Sequence, residues 1–286
     1  MFIQVQALQH LASKQPVKDR RKNLPARHQF AFCLTLLMGI PNCTLLAQSP
    51  DSTLPDAPKA QAEAQNAGTL QNMPRNLLHD QAALWTSPAR LRESNALGPV
   101  ALVLATTVAI ATDHEVMSSA KLQNPSLNSE AVTASNGLVG GFIAAPVILY
   151  GLGRMHHDDH AAETGILGGE AILDSLAVNE VAKIISLRER PTVDSAKGKF
   201  FQTGVGFNSS FPSNHSIIAW SSASVIASEY EGPMTKIAAY GLATGVSLAR
   251  VLGRDHFPSD VLVGSALGWM IGRYVVHKHR PYGQTR

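Results

Sequence analysis

Apolar residues gather in long runs between residues 96 and 277, and short polar islands interrupt them. The runs outlast ordinary strands and alternation of period two is nearly absent, so the pattern predicts helices. Six segments are expected, at roughly 96–112, 137–153, 162–188, 215–230, 234–252 and 258–277. The first two are continuous apolar runs bounded by Asn95 and Asp113, then by Asn136 and Arg154. Each is about 17 residues, the lower limit for crossing a bilayer. The third carries Glu163, Glu170, Asp174, Glu180 and Lys183 and reads as amphipathic rather than as a lipid-facing span. Small residues recur along the segments, as in Gly168-Gly169, Ser221-Ser222-Ala223-Ser224 and Gly264-Ser265-Ala266, and they permit close helix packing in water or lipid. The fold class is therefore all-α, a six-helix bundle over residues 96–277.

Upstream, the pattern changes twice. Residues 76–95 hold spaced apolar positions broken by Pro88, which suggests short amphipathic helical pieces on a surface. Residues 48–75 are rich in Pro, Gln, Ala, Ser and Asp without periodicity and read as a flexible linker. Residues 1–47 have a basic start, an apolar stretch over 30–40 and a possible cut after Ala47, the layout of an export signal or an uncleaved anchor. A short basic tail, 278–286, closes the chain.

Charge follows this division. The formal net charge is +3 over 286 residues, but residues 1–47 contain six of the 24 Lys and Arg and one of the 21 acids. The rest holds 18 basic and 20 acidic residues and has no basic tract of the kind that grips nucleic acid. Both cysteines, Cys33 and Cys43, fall in the leader, so a processed chain carries none and suits an oxidising cell envelope. Topology leaves membrane insertion open. If all six segments span and the leader delivers the start outside, the polar islands face the cytoplasm. The basic tail then lies opposite, against the positive-inside tendency. A soluble exported bundle, or one in which only some segments span, removes the conflict.

Three islands carry the candidate chemistry. The first, at the end of the third segment, holds Lys183, Arg190 and Pro191. Seven residues on a helix turn through about 700°, close to two full turns, so Lys183 and Arg190 are expected on one face, with Pro191 ending the helix. The second, Pro212-Ser213-Asn214-His215, opens the fourth segment with Ser213 or Asn214 as N-cap and free N–H groups that suit an anion. The third sets Arg250 at the end of the fifth segment, His256 before the sixth and Asp260 in its first turn. A carboxylate there can accept from one imidazole nitrogen and leave the other free to attack an electrophile. Taken singly, a basic C-terminus, an N-cap and a first-turn acid are ordinary helix-end features. The run Met155-His156-His157-Asp158-Asp159-His160 reads as a polar connector with an Asp capping the next helix, not as a metal site.

Together the islands resemble the type 2 phosphatidic acid phosphatase family, whose site is shared with vanadium haloperoxidases and bacterial non-specific acid phosphatases. Its pattern is Lys-x6-Arg-Pro, then Pro-Ser-Gly-His, then Ser-Arg-x5-His-x3-Asp. This chain departs from it twice, with Asn214 in place of Gly and Ala249 in place of Ser. Asn tolerates left-handed backbone and keeps its N–H, so phosphate cradling can survive, while its added side chain would narrow the pocket or add a donor and so bear on substrate choice. The resemblance implies a phosphatase of phosphate monoesters or pyrophosphates, with a phosphorylated lipid or related ester as substrate. It implies His256 as nucleophile, Asp260 as the group that holds its imidazole, and His215 as proton donor to the leaving oxygen. Lys183, Arg190, Arg250, Ser213 and Asn214 would grip the phosphate, and no metal or other cofactor is implied. A membrane or periplasmic setting in the envelope is expected, with no nucleic-acid partner. A soluble acid phosphatase, a vanadate-dependent haloperoxidase and a catalytically silent membrane protein are the rival readings.

Overall fold

The computed structural model describes residues 70–90 and 96–280. The expected leader, the linker through residue 69 and the last tail residues, 281–286, lie outside them. Among the described residues the chain forms seven α-helices and no strand. They are α1 (Met73–Thr86), α2 (Leu97–Ser118), α3 (Pro125–His156), α4 (Asp159–Ser186), α5 (Asn214–Glu229), α6 (Pro233–Leu252) and α7 (Pro258–His279). The last six are the expected bundle.

Three boundaries differ from expectation for local reasons. α3 begins at Pro125 rather than near residue 137, because the Asn124 side chain accepts from the N–H groups of Ser126 and Leu127. Its polar first third is still helical, and buried positions Ala131, Ser135, Val139, Phe142 and Pro146 recur at helical spacing. α2 runs past Asp113 because that carboxylate is buried and paired rather than solvated. α4 stops at Ser186, where Leu187 turns left-handed at φ 42° and its N–H bonds the Lys183 carbonyl at 3.0 Å. Arg190 therefore stands beyond the helix, and the expectation of one helical face shared with Lys183 is wrong.

Before residue 95 the described residues form two short helical pieces, α1 and a 3-10 turn, Ser87–Arg90, that contains Pro88. Pro74 sits in the first turn of α1, where a missing N–H costs nothing. α1 docks through polar side chains: Asn76 donates to Glu170 at 2.8 Å and Gln81 to Asp174 at 2.7 Å. Fully buried Asp80 meets His279 at 2.6 Å and the Tyr274 hydroxyl at 3.1 Å. Glu170 and Asp174 of α4 are thus buried against α1.

α5 is the centre of the bundle. A Cβ on Gly264, Gly268 or Gly272 of α7 would stand 2.8, 2.3 and 2.5 Å from the carbonyls of Ser213, Ile217 and Ser221. The two backbones touch only because this stripe has no side chains. Ile217, Val225, Leu167, Ile271 and Val275 fill the space to either side. Chain direction then does the rest: α4 and α6 end where α5 and α7 begin, so all three islands meet at one end of the bundle.

Among the described residues α2 and α3 are long and apolar enough to cross a membrane. Leu97, Leu104 and Val108 of α2 and Val147 and Ile148 of α3 are exposed.

Candidate active site

The α4–α5 connection folds back on the end of α4. Phe201 N–H bonds Ser186 O at 2.9 Å, and Ser210 N–H bonds Arg188 O at 2.8 Å. Ser210 is thereby carried to the start of α7. Its carbonyl lies 2.7 Å from His256 Nδ1. A carbonyl only accepts, so Nδ1 carries the proton and Nε2 keeps its lone pair. The expected acceptor, Asp260, stands at 3.6 Å through Oδ2, beyond hydrogen-bond range. Its carboxylate faces the ring as a charge and is itself held by the Phe257 N–H at 2.8 Å, by the Ser210 hydroxyl and by Arg188 at 2.5 Å. His256 is buried, and burial pushes its pKa below the usual histidine range against the pull of Asp260.

His215, in the first turn of α5, bonds Asn136 Oδ1 through Nε2 at 2.9 Å. Arg250 Nη1 donates to the same oxygen at 3.3 Å, which fixes it as an acceptor and makes His215 Nε2 the protonated nitrogen. Nδ1 is left as the atom that can gain a proton. Burial, then the charges of Arg250, His256, Arg190 and Lys183, lower the His215 pKa to about 4. All three island cations thus lie within electrostatic reach of one imidazole.

Each cation is placed differently. Arg250 pairs with Asp255 at 2.7 Å and donates to Ser135 at 3.1 Å, while its Nε is buried without a partner. Arg190 donates to the Asp255 carbonyl and to Asn208, both at 3.0 Å, which ties the first island to the third. Lys183 is 3% exposed, and its ammonium makes no hydrogen bond or ion pair among the described residues. A buried cation and a buried guanidinium donor left open are costly unless an anion completes them.

Ser213 is the N-cap of α5: its hydroxyl accepts from Ser216 N–H at 3.5 Å. The N–H groups of Asn214 and His215 have no intrahelical acceptor. Asn214 is not left-handed; it is the first helical residue, and its side chain bonds Asn179 and, at 3.4 Å, Glu180 of α4. The added side chain is thus engaged with a neighbouring helix. In the 155–160 run, Asp158 caps α4 by accepting from Ala161 N–H at 3.1 Å, and no cluster fit for a metal occurs among the described residues.

The sequence from residue 164 to 283 matches the family model of the PAP2 superfamily. A curated relative, the Lipid A 1-phosphatase of Porphyromonas gingivalis, is 32% identical over 77 residues, which is 26% of this chain. The match spans 17% of that relative's length. A solved structure described as the first transmembrane PAP2 type phosphatidylglycerolphosphate phosphatase, from Bacillus subtilis, is 23% identical, with a TM-score of 0.49. It covers 66% of this chain and 98% of its own.

Four residues at the site escape a reading of the islands. Arg188 sits inside the first island, two residues before Arg190, but its offset fits no motif position. Ser210 contributes through a carbonyl, which sequence cannot single out. Asp113 and Asn136 show only as polar bounds of apolar runs, and both precede the stretch that defines the PAP2 match.

Proposed function

We propose that this protein hydrolyses phosphate monoesters or pyrophosphates through a phosphohistidine on His256, and that its natural substrate is a lipid phosphate. The observation that carries this reading is an unprotonated His256 Nε2 at the same end of the bundle as buried Lys183 and the unpartnered Nε of Arg250. His256 Nε2 attacks phosphorus, the N–P bond forms and the P–O bond to the leaving group breaks. Lys183, Arg190, Arg250 and the free N–H groups at the start of α5 stabilise charge on the equatorial oxygens. The leaving oxygen takes a proton from His215. Water then attacks the phosphohistidine and gives a proton back to His215, and inorganic phosphate departs.

His215 is neutral near pH 7 in the free protein, because burial and its cationic neighbours disfavour the imidazolium. A phosphate dianion among those cations reverses the local field, so substrate itself loads the proton that the leaving group needs. Lipid specificity is supported by the exposed apolar faces of α2 and α3, since Asp113 and Asn136 on those helices belong to the site's surroundings. A curated relative named for Lipid A dephosphorylation points the same way. With α2 and α3 in the bilayer, the site would lie at the end where they join, within reach of a lipid headgroup. Export by residues 1–47 would place it in the cell envelope.

Purified full-length protein should release phosphate from a lipid phosphate in the presence of EDTA, be inhibited by vanadate, and lose activity on His256→Ala. Absence of release from lipid, pyrophosphate and soluble esters alike overturns the enzymatic reading. Halide oxidation with vanadate and peroxide selects a haloperoxidase instead.

A further inference from the structure

Arg188 is 1% exposed and lies between two buried carboxylates. Its Nη1 donates to Asp260 Oδ1 at 2.5 Å and to the Ser259 hydroxyl at 2.7 Å; its Nη2 donates to Asp113 Oδ2 at 2.7 Å. Nε donates to the Gly198 carbonyl at 3.2 Å, and the rings of Phe200 and Phe257 stack over the guanidinium carbon at 4.6 and 4.1 Å. Gly198 is required for this approach. Its φ is +57°, and a Cβ would stand 2.6 Å from the Phe257 ring. Asp113 completes the arrangement from α2, accepting from Ser259 N–H at 3.1 Å and from its hydroxyl at 2.5 Å. Both residues are sealed from solvent, so neither can touch a substrate.

We propose that Asp113 and Arg188 are positioning residues for the His256–Asp260 pair, so that α2 supplies part of the catalytic apparatus although it lies outside the PAP2-matched stretch. The inference rests on the phosphohistidine reading above. Geometrically, Asp113 fixes the first turn of α7 and the plane of the guanidinium, and the guanidinium fixes the Asp260 carboxylate. Electrostatically, one cation between two carboxylates leaves a net negative charge beside the imidazole. That charge stabilises the imidazolium that forms as Nε2 bonds phosphorus. Without Asp113, Arg188 neutralises Asp260 alone, and the ring loses this support.

Ser259 and Asp260 of α7, the Ser210 hydroxyl and Gly198 carbonyl of the α4–α5 connection, and His256 face the Asp113–Arg188 pair. The charges of Asp260, Arg190 and Arg250 act on His256, and Lys183 and His215 lie within the same field. His114, next to Asp113, is turned to the Ala196 carbonyl at 3.1 Å. Asp113→Asn keeps the shape and removes the charge, so it separates the two roles from simple packing.

The test is ¹⁵N-histidine NMR of the full-length protein, with the His256 signal assigned by its loss in His256→Gln, alongside kinetics on a lipid phosphate. In the unaltered protein His256 shows the Nδ1–H tautomer. In Asp113→Asn its titration moves down by about one pH unit, the scale expected for loss of a nearby opposite charge. Turnover falls about 10- to 100-fold from mispositioning, with KM within about twofold, because the phosphate-gripping cations are untouched. Ser259→Ala, which breaks only the bridging hydroxyl, gives a smaller loss in the same direction and serves if Asp113→Asn does not fold. A folded variant with the original His256 titration and tautomer overturns the proposal. Should the unaltered protein hydrolyse no phosphate ester, the functional reading fails, yet the NMR comparison still decides whether Asp113 controls the pair.

Discussion

The backbone N–H of Ser213 donates to the carbonyl of Asp260 at 3.1 Å. This single bond joins the N-cap of α5 to the first turn of α7, so the anion-ready helix start and the residue beside His256 move as one unit. It forms because α7 presents glycine to α5 at every fourth position below it.

Gly268→Ala tests that dependence. The new methyl would meet the Ile217 carbonyl at 2.3 Å, which forces α5 and α7 apart. A loss of about 1–3 kcal/mol is expected in denaturant unfolding, as for other overpacked contacts, together with reduced turnover. Gly241→Ala is the control, because nothing lies within 4 Å of a Cβ there. It should stabilise α6 by about 0.5–1 kcal/mol.

Asn214→Gly introduces the glycine of the pattern that the three islands resemble, and the structure predicts little gain. The Asn214 side chain serves buried Asn179, whose own Oδ1 already lacks a partner. Removing it should cost about 1–2 kcal/mol of stability through the group left unpaired. The ratio of kcat/KM between lipid and soluble phosphate esters should stay within a few-fold of the original. A large switch in that ratio would show that Asn214 does reach the substrate.

Proton linkage gives a sharper expectation for His215. Its free pKa is lowered to about 4, and a bound dianion raises it. Between those two values, binding takes up a proton, so affinity for a dianion rises as pH falls through the bound value and levels off below the free one. Sulfate is a suitable probe because its own charge stays constant there. Calorimetry at pH 6 in buffers of different ionisation enthalpy should show proton uptake in the native protein and less in His215→Gln. Equal uptake in both would assign the linkage to another group.

Much of this was legible in the chain itself. Lys183, Arg190, His215, Arg250, His256 and Asp260 stand at short fixed offsets beside helix ends, and helix direction alone brings their islands together. Arg188, Asp113 and Asn136 were not legible, because their contacts with one another and with α5, α6 and α7 cross 71 to 146 residues of chain and arise only once α2 and α3 pack beside those helices. The same holds for α1, whose Asp80 finds His279 across 199 residues. Local pattern also misled at Arg190, where helical spacing seemed to place it above Lys183. Leu187 ends the helix first, and a turn of connection, not a helical face, delivers the guanidinium to Asp255.

The central claim is that His256 becomes phosphorylated. Rapid alkaline quenching during turnover of a lipid phosphate, followed by mass spectrometry of peptides, reads it directly. The account predicts a phosphoryl group on the peptide containing His256, accumulating in His215→Gln if that substitution slows hydrolysis more than attack, and absent in His256→Ala. A quenched, active protein with no phosphohistidine in either the native chain or His215→Gln, or with the label on His215, would contradict it.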